Sequence, residues 1–202
     1  MTTPVYSVKY PGRFIIGPVT QQINEQAAFK SDQLLSSMLV AHQISTLSHC
    51  VRRKAGAVVI CRDDKERRPR ILGWGVNGMP TGEDNCCELP APDHHQAPAG
   101  DPFPHLVTNP RVIHAEIRAI QQAMQTGVQP RDMIVLCTDS PCPECAIAID
   151  RLGIAEVFFM FSYHAAVDPS HNFCLMHINP NLVLGMYQSS LDHLQQRIMN
   201  EV

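Results

Sequence analysis

Two short stretches, His114-Ala115-Glu116 and Pro141-Cys142-Pro143-Glu144-Cys145, decide how this chain folds and what chemistry it can carry. Cys142 and Cys145 are three residues apart, so both thiols share one face of a helix. At a helix N-terminus the helix dipole and the free amides favour thiolates, which are the form that binds zinc. His114 opens a preceding predicted helix and is the expected third ligand. Two thiolates and one imidazole leave one position open, as in catalytic zinc sites.

Glu116 distinguishes this arrangement from a purely structural metal site. It lies two residues from His114, where its carboxylate can take a proton from water and pass it to a departing amine. The alternative is a structural zinc site in which Glu116 only caps a helix. A lone C-x-x-C pair would favour that alternative. H-x-E followed by P-C-x-x-C, however, is the signature of zinc nucleobase deaminases, so the two half-motifs together indicate catalytic zinc.

Apolar and turn residues predict strands and helices around these motifs. Short β-rich runs predict strands at 56–61, 71–76, 133–137 and 155–161, with a fifth at 181–185. Helical spacing predicts helices within 21–49 and at 113–126, 141–152 and 189–201. The charged segment 62–70 is expected to be a hairpin turn. Strands that alternate with helices in the second half indicate parallel pairing with helices on the sheet faces.

The composition is that of an ordinary globular domain. Of the 202 residues, 45% are hydrophobic and 17% are charged, and the formal net charge is −3. This balance excludes a disordered chain and argues against many phosphate contacts to a long nucleic acid. No apolar run approaches the ~18 residues of a membrane span, and residues 1–17 lack a secretory signal. We therefore expect no membrane association and a cytoplasmic protein whose eight cysteines are metal ligands or core thiols.

The sequence resembles the deoxycytidylate (dCMP) deaminases of the cytidine deaminase-like superfamily, particularly those of tailed phages. Besides the zinc motifs, the resemblance rests on residues 50–58 (CVRRKAGAV) and 75–82 (GVNGMPTG) and runs from about His49 to Tyr163. It implies an α/β fold of three layers, α/β/α, around a mixed five-stranded sheet. We expect a single deaminase domain at 1–202 with an N-terminal helical extension and a zinc-bearing loop insertion at about 77–110. A phage-encoded protein would act in the host cytoplasm.

The resemblance implies a nucleotide pocket around a zinc held by His114, Cys142 and Cys145, with Glu116 as the catalytic proton carrier. The expected substrate-binding residues are Asn77 at the sugar, Ala57 through backbone groups at the pyrimidine, and Tyr163 as an aromatic beside the pocket; cations for a 5′-phosphate are expected at Lys54 and Arg118. Three of these expectations have a simpler alternative. Asn77 is also compatible with a turn and Tyr163 with core or rim packing. The basic cluster of Arg52, Arg53 and Lys54, which could offer cations to the phosphate, is equally compatible with a solvated surface.

Two positions depart from the family pattern. The family usually reads H-A-E-x-N-A, whereas this chain has Arg118 in place of the Asn. That cation either serves the nucleotide phosphate or signals a different substrate choice. Gln125 lies in the helix where regulated phage relatives often carry Arg. Feedback by dCTP and dTTP, with Mg²⁺ beside the allosteric nucleotide, is therefore an open expectation.

A second zinc site is expected in the long loop, because some phage relatives carry a structural zinc. Its expected ligands are Cys50, Cys86, His105 and either His94 or His95, with His94 the preferred member of the pair. A closed site of two Cys and two His would hold a loop that lacks regular structure. The alternative is that Cys50 and Cys87 are buried thiols and that the histidine pair faces solvent.

The function that these observations favour is hydrolytic deamination of dCMP, or of its 5-methyl or 5-hydroxymethyl form, to dUMP or its 5-substituted counterpart and ammonia, by a homohexamer. One alternative is a base deaminase acting on tRNA or single-stranded DNA. Such enzymes need an electropositive groove and stacking side chains, and this chain has 6% aromatic residues and a charge of −3. The other alternative is a catalytically silent zinc-binding assembly module. The intact Glu116 weighs against it.

Overall fold

The computed structural model describes residues 7–10, 13–16, 25–62, 70–93, 95–97, 102–162 and 171–200. In chain order the elements are β1 Ser7–Tyr10, β2 Arg13–Ile16, α1 Glu25–Ser45, β3 Gly56–Cys61, β4 Ile71–Val76, β5 Glu88–Pro90, β6 Leu106–Thr108, α2 Ala115–Met124, the 3₁₀ turn Pro130–Asp132, β7 Met133–Asp139, α3 Pro143–Leu152, β8 Glu156–Phe161, β9 Cys174–His177 and α4 Pro180–Asn200. Most predicted elements are therefore present, with ends shifted by a few residues.

The main sheet has the strand order β2-β1-β9-β8-β7-β3-β4. Strands β7, β8 and β9 are parallel, whereas β3 is antiparallel to both β7 and β4. These five strands are the expected mixed sheet, which is confirmed. The hairpin of β1 and β2 adds two antiparallel strands at the β9 edge, and the sequence did not predict it.

Helices cover both faces of the sheet, as the alternation of side chains along each strand requires. On β3, Ala57 and Val59 pack with α2 and α3 in one apolar cluster. Val58 and Ile60 face the opposite side and pack with α1 and the start of α4. Strand β7 is buried at all but its last residue, which explains its continuous apolar run. The three-layer α/β/α fold is thus confirmed.

Two glycines let α2 lie unusually close to β4. A Cβ on Gly75 would lie 2.6 Å from the carbonyl oxygen of Ala115, and one on Gly73 would lie 2.3 Å from that of Ala119. Both distances are shorter than any normal contact, and the opposing atoms belong to helix backbone. Glycine is therefore required at both positions, and it sets where the first turn of α2 lies relative to the sheet.

The predicted strand at 181–185 is wrong, because this segment lies in α4. Asn179 caps the helix start, since its Oδ1 accepts a hydrogen bond from the Asn181 amide at 3.0 Å, and Pro180 occupies the first helical position. Val183 is buried from the helix against the α1 face of the sheet. The last strand is β9 instead. A short apolar run does not by itself distinguish a strand from a buried helical turn.

The segment 77–110 has more structure of its own than expected. Strands β5 and β6 pair within it, and Asn109 is buried beside them. The Asn109 amide donates to the Cys87 carbonyl at 2.8 Å, and its side-chain Nδ2 donates to the Cys86 carbonyl at 2.9 Å. Strands β3 and β4, which flank the turn expected at 62–70, are antiparallel, and residues 63–69 of that predicted turn lie outside the described residues.

Candidate active site

Three side chains expected to bind zinc meet where α2 and α3 begin. The Nδ1 atom of His114 lies 3.2 Å from Sγ of Cys142 and 3.3 Å from Sγ of Cys145. His114 is the residue before α2 and Cys142 the residue before α3. Within the described part of the chain, this is the one group of three His, Cys or acidic residues whose ligand atoms lie within 4.8 Å of one another. The predicted ligand set is thus brought together.

Local sequence explains how α3 presents its two thiols. Pro143 occupies the first turn, and the backbone N–H of Cys145 donates to Sγ of Cys142 at 3.4 Å, so Cys142 caps the helix. At the other end Gly153 adopts a left-handed φ of 75°, which stops the helix. Both sulfurs therefore lie at the positive end of a short, well-defined helix.

The donor set fits a zinc ion. Two sulfurs and one imidazole nitrogen around zinc lie roughly 3.5 to 3.8 Å apart when bond lengths are about 2.3 and 2.0 Å and the geometry is tetrahedral. The two N···S distances here, 3.2 and 3.3 Å, are only slightly shorter. Hydrogen bonds from the Cys145 thiol and from His114 lower the pKa of Cys142. The hydrogen bond between His114 and Cys142 also raises the pKa of His114. An easily formed thiolate beside an imidazole is what a metal requires.

Glu116 lies in the first turn of α2 and is 6% exposed. Burial raises the pKa of its carboxyl to about 7, although its own backbone N–H and the nearby His114 oppose the shift. A carboxyl with a pKa near neutrality exchanges protons readily in both directions, as a general acid–base group must. Its first-turn position beside the ligand histidine agrees with the predicted role as proton carrier.

Asn77 joins the end of β4 to the segment before β3. Its Oδ1 accepts a hydrogen bond from the Ala55 amide at 2.8 Å, and its Nδ2 donates to the Arg53 carbonyl at 2.8 Å. Its backbone carbonyl accepts from Oγ of Ser48 at 2.9 Å. The side chain thus has a structural role, with one Nδ2 hydrogen beyond the bond to Arg53. Ala57 is fully buried on β3 between β4 and β7.

An ion pair that the sequence did not indicate lies at the end of β7. The Arg53 guanidinium lies 2.6 Å from a carboxylate oxygen of Asp139, and the other oxygen accepts from the Thr138 hydroxyl at 2.7 Å. Asp139 stands three residues before Cys142 and raises the pKa of Glu116 through its charge. Its place at the carboxyl end of a parallel strand was the signal that could have identified it.

The remaining predicted pocket residues differ in their surroundings. Lys54 is exposed, and its Nζ donates to the Thr46 carbonyl at 3.3 Å. The guanidinium of Arg118 is bonded to the protein backbone. Its Nη2 donates to the carbonyl oxygens of Gly78, at 3.1 Å, and of Met79. Tyr163 lies outside the described residues.

The ligands expected for a second zinc are not brought together in the described part of the chain. Cys50 is buried in an apolar cluster with Cys87, and burial together with a hydrogen bond to Cys87 raises the pKa of Cys50 to about 12. Cys86 and His105 are exposed, and His94 lies outside the described residues. Nε2 of His95 is buried without a hydrogen-bond partner among the described residues. The thiol that meets Cys50 is therefore Cys87 rather than the expected Cys86.

None of the helices in the described part of the chain has the length and apolar character needed to cross a membrane.

Comparison with known proteins agrees with this site. Residues 30–161 match the family model described as the cytidine and deoxycytidylate deaminase zinc-binding region. A deoxycytidylate deaminase of Schizosaccharomyces pombe is 30% identical over 63% of this chain, which spans only 36% of that protein. That of Enterobacteria phage T4 is 29% identical over 61% of this chain and 75% of the relative.

A solved structure is also similar. The dCMP deaminase of cyanophage S-TIM5 in its apo form has a TM-score of 0.50 and 28% identity, over 69% of this chain and 87% of the other. The family match covers well over half of the 202 residues and contains all three converging ligands and Glu116. The chain therefore belongs to the family defined by the cytidine and deoxycytidylate deaminase zinc-binding region.

Proposed function

We propose that the protein is a zinc-dependent hydrolase that converts dCMP to dUMP and ammonia. The observation that carries the proposal is the convergence of His114, Cys142 and Cys145 beside the buried Glu116. The curated relatives described above are named deoxycytidylate deaminase, which supports dCMP rather than a free base as the substrate.

The chain's own residues divide the chemistry between them. When bound by the three ligands, zinc would supply activation of water for attack on C4 of the cytosine. Glu116 holds the proton taken from that water and delivers it to the departing amine. Asn77, through its remaining amide hydrogen, is the proposed donor to the sugar. Backbone groups at Ala57 and the ring of Tyr163 are the proposed boundaries of the pyrimidine site.

Recognition of the phosphate is proposed for the basic segment before β3. The Asp139 carboxylate holds the Arg53 guanidinium in place at the edge of the candidate active site, and the next residue, Lys54, is exposed. A guanidinium held by a carboxylate loses little freedom when it binds a phosphate, so less affinity is lost to ordering. Arg118, whose guanidinium is bonded to backbone, is assigned a different role below.

The decisive experiment compares steady-state rates on dCMP, CMP, deoxycytidine, 5-methyl-dCMP and 5-hydroxymethyl-dCMP with purified, zinc-loaded protein. We expect a cytosine deoxynucleoside monophosphate to be the preferred substrate. The relative rates on dCMP and on its 5-substituted forms will show how much space lies beside C5. Turnover of cytosine in single-stranded DNA or of a base in tRNA, without turnover of any monophosphate, would contradict the proposal.

A second, structural zinc is proposed in the 77–110 insertion of a single deaminase domain at 1–202. The contact between the buried thiols of Cys50 and Cys87 supports it. Soft thiolates and imidazole are the ligands that zinc prefers. His105 and His94 are the further candidates.

Assembly and regulation follow the family expectation. We propose a homohexamer, which exposed apolar side chains on α4, such as Leu184, Leu194 and Ile198, are compatible with. Sedimentation at several protein concentrations tests it. Feedback by dCTP and dTTP with Mg²⁺ stays a prediction, and titrating each triphosphate into the rate assay decides it.

A further inference from the structure

Arg118 occupies an unusual position on α2. It lies four residues after His114, and its Nη2 donates to the carbonyl oxygens of Gly78 and Met79, which belong to the turn after β4. Its Nε is buried and has no hydrogen-bond partner among the described residues. A guanidinium bonded in this way is committed to the protein backbone. We refer to residues 77–79 as the asparagine turn.

The asparagine turn is where three parts of the site meet. Through the side chain of Asn77 it is bonded to the backbone of Arg53 and Ala55. Through Gly78 it pairs with Ile113, with hydrogen bonds of 3.1 and 2.9 Å in the two directions. Ile113 is the residue directly before the ligand histidine. The turn therefore connects the basic segment to the metal site.

The third connection is the one made by Arg118. An asparagine side chain, which the family pattern usually has here, carries its amide on a single methylene and offers one amide group. Arginine extends a planar guanidinium with several N–H donors on a longer stem, so one side chain can bond two successive carbonyls. Lysine also offers three N–H donors, but its side chain is one atom shorter than that of arginine, so its ammonium ends short of the position that Nη2 occupies. The choice of arginine thus matches the two acceptors found.

We propose that Arg118 is a positioning residue, not a phosphate ligand: by holding the carbonyls of Gly78 and Met79 it fixes the asparagine turn and, through it, Asn77 and the segment entering His114. Its kinetic consequence rests on the proposed function. The hydrogen bonds that it protects do not depend on that function and are measured separately.

The kinetic test compares Arg118→Met with the control Arg131→Met, which removes a cation whose side chain is 80% exposed. Loss of a hydrogen bond from a charged group to buried carbonyls lowers efficiency roughly tenfold to a hundredfold. We expect kcat/KM to fall by the same factor on dCMP and on deoxycytidine, because the turn serves both. A fall on dCMP alone would identify a phosphate contact and overturn the proposal.

The structural test measures amide hydrogen exchange without substrate. We expect the amides of Asn77 and Gly78 to exchange faster in Arg118→Met than in the parent and in Arg131→Met, because the turn opens more often. Unchanged exchange overturns the proposal. If the parent turns over neither dCMP nor deoxycytidine, the proposed function fails while the exchange result still decides the role of Arg118.

A milder variant guards against misfolding of Arg118→Met. Arg118→Lys keeps the charge and most of the stem, but its side chain is one atom shorter, so the ammonium ends short of the position from which Nη2 bonds the two carbonyls. We expect a smaller rise in exchange at Asn77 and Gly78 and a smaller loss that remains equal on both substrates. Full restoration of dCMP turnover by lysine with exchange still elevated would show that charge, not positioning, matters, and would overturn the proposal.

Discussion

The Arg53 guanidinium and the Asp139 carboxylate lie 2.6 Å apart, although the two residues are 86 positions apart in sequence. Asp139 ends β7 just before the helix that carries Cys142 and Cys145, and Arg53 precedes β3. The pair therefore joins the basic segment to the edge of the metal site. It is only partly screened from water, with side-chain exposures of 38% for Arg53 and 14% for Asp139. The pair contributes little to the free energy of unfolding, and its main effect is to orient the Arg53 guanidinium.

Removing the cation of this pair tests phosphate recognition. A hydrogen bond to a charged group contributes about 1.5–3 kcal/mol, so the parent should prefer dCMP over deoxycytidine by roughly tenfold to a hundredfold. In Arg53→Met that preference should shrink severalfold. The control is Arg131→Met, which removes a cation that lies outside the basic segment and whose side chain is 80% exposed. Equal efficiency of the parent on nucleoside and nucleotide would contradict phosphate recognition.

Glu116→Gln tests the proton carrier. Glutamine keeps the shape of the side chain but cannot carry a proton, so turnover should fall by about 10²–10⁴. Zinc content should be unchanged, because Glu116 is not one of the converging ligands. Metal analysis and rate measurement on the same preparation check both points. Full zinc with near-parental turnover would show that the mechanism is wrong.

Cys142→Ser tests the catalytic metal site. Serine is a poor zinc ligand, so one equivalent of zinc should be lost together with activity. Cys174→Ser is the matched control, since this half-buried cysteine lies on β9 and is not one of the three converging ligands. It should retain its zinc. Equal zinc content in the two variants would contradict the assignment.

If a second zinc is bound, substitution of the adjacent residues Cys86 and Cys87 should change the zinc content differently. The parent should hold two zinc ions per chain. Cys87→Ser should lose one of them, melt at a lower temperature and become more protease-sensitive in the 77–110 segment, because bound metal stabilises the folded state. Cys86→Ser should keep both ions, since Cys86 is exposed. One zinc per parental chain would rule out this site, and loss in Cys86→Ser alone would reverse the assignment of the thiol.

Gly75→Ala tests the close approach of α2 to β4. The added methyl would meet the Ala115 carbonyl, so the first turn of α2 must move, at a cost of about 3 kcal/mol. Gly185→Ala is the control, because nothing lies within 4 Å of its Cβ position on α4, and it should stabilise the fold by about 0.5–1 kcal/mol. Denaturant unfolding measures both. A Gly75→Ala variant as stable as the parent would show that α2 is not held against β4.

The fold was predictable wherever one local signal dominated. The strand at 56–61 and the strand at 71–76 coincide with β3 and β4, because each is a short apolar run bounded by turn or charged residues. The prediction failed at 181–185, where an apolar run was compatible with two structures. Packing of Val183 and capping by Asn179 selected the helix there.

By itself, the sequence identified the three side chains that converge as a candidate metal site, His114, Cys142 and Cys145. Each half of the motif lies within the first turn of one helix, where the spacing of residues fixes their geometry. Cys142 and Cys145 lie at the start of α3 with a proline between them, and Glu116 follows His114 by two residues at the start of α2. Only the tertiary structure decided the partners of Arg118, the pairing of Arg53 with Asp139 and the contact of Cys50 with Cys87. Those contacts join residues far apart in the chain, so they depend on strand register and on how closely a helix approaches the sheet.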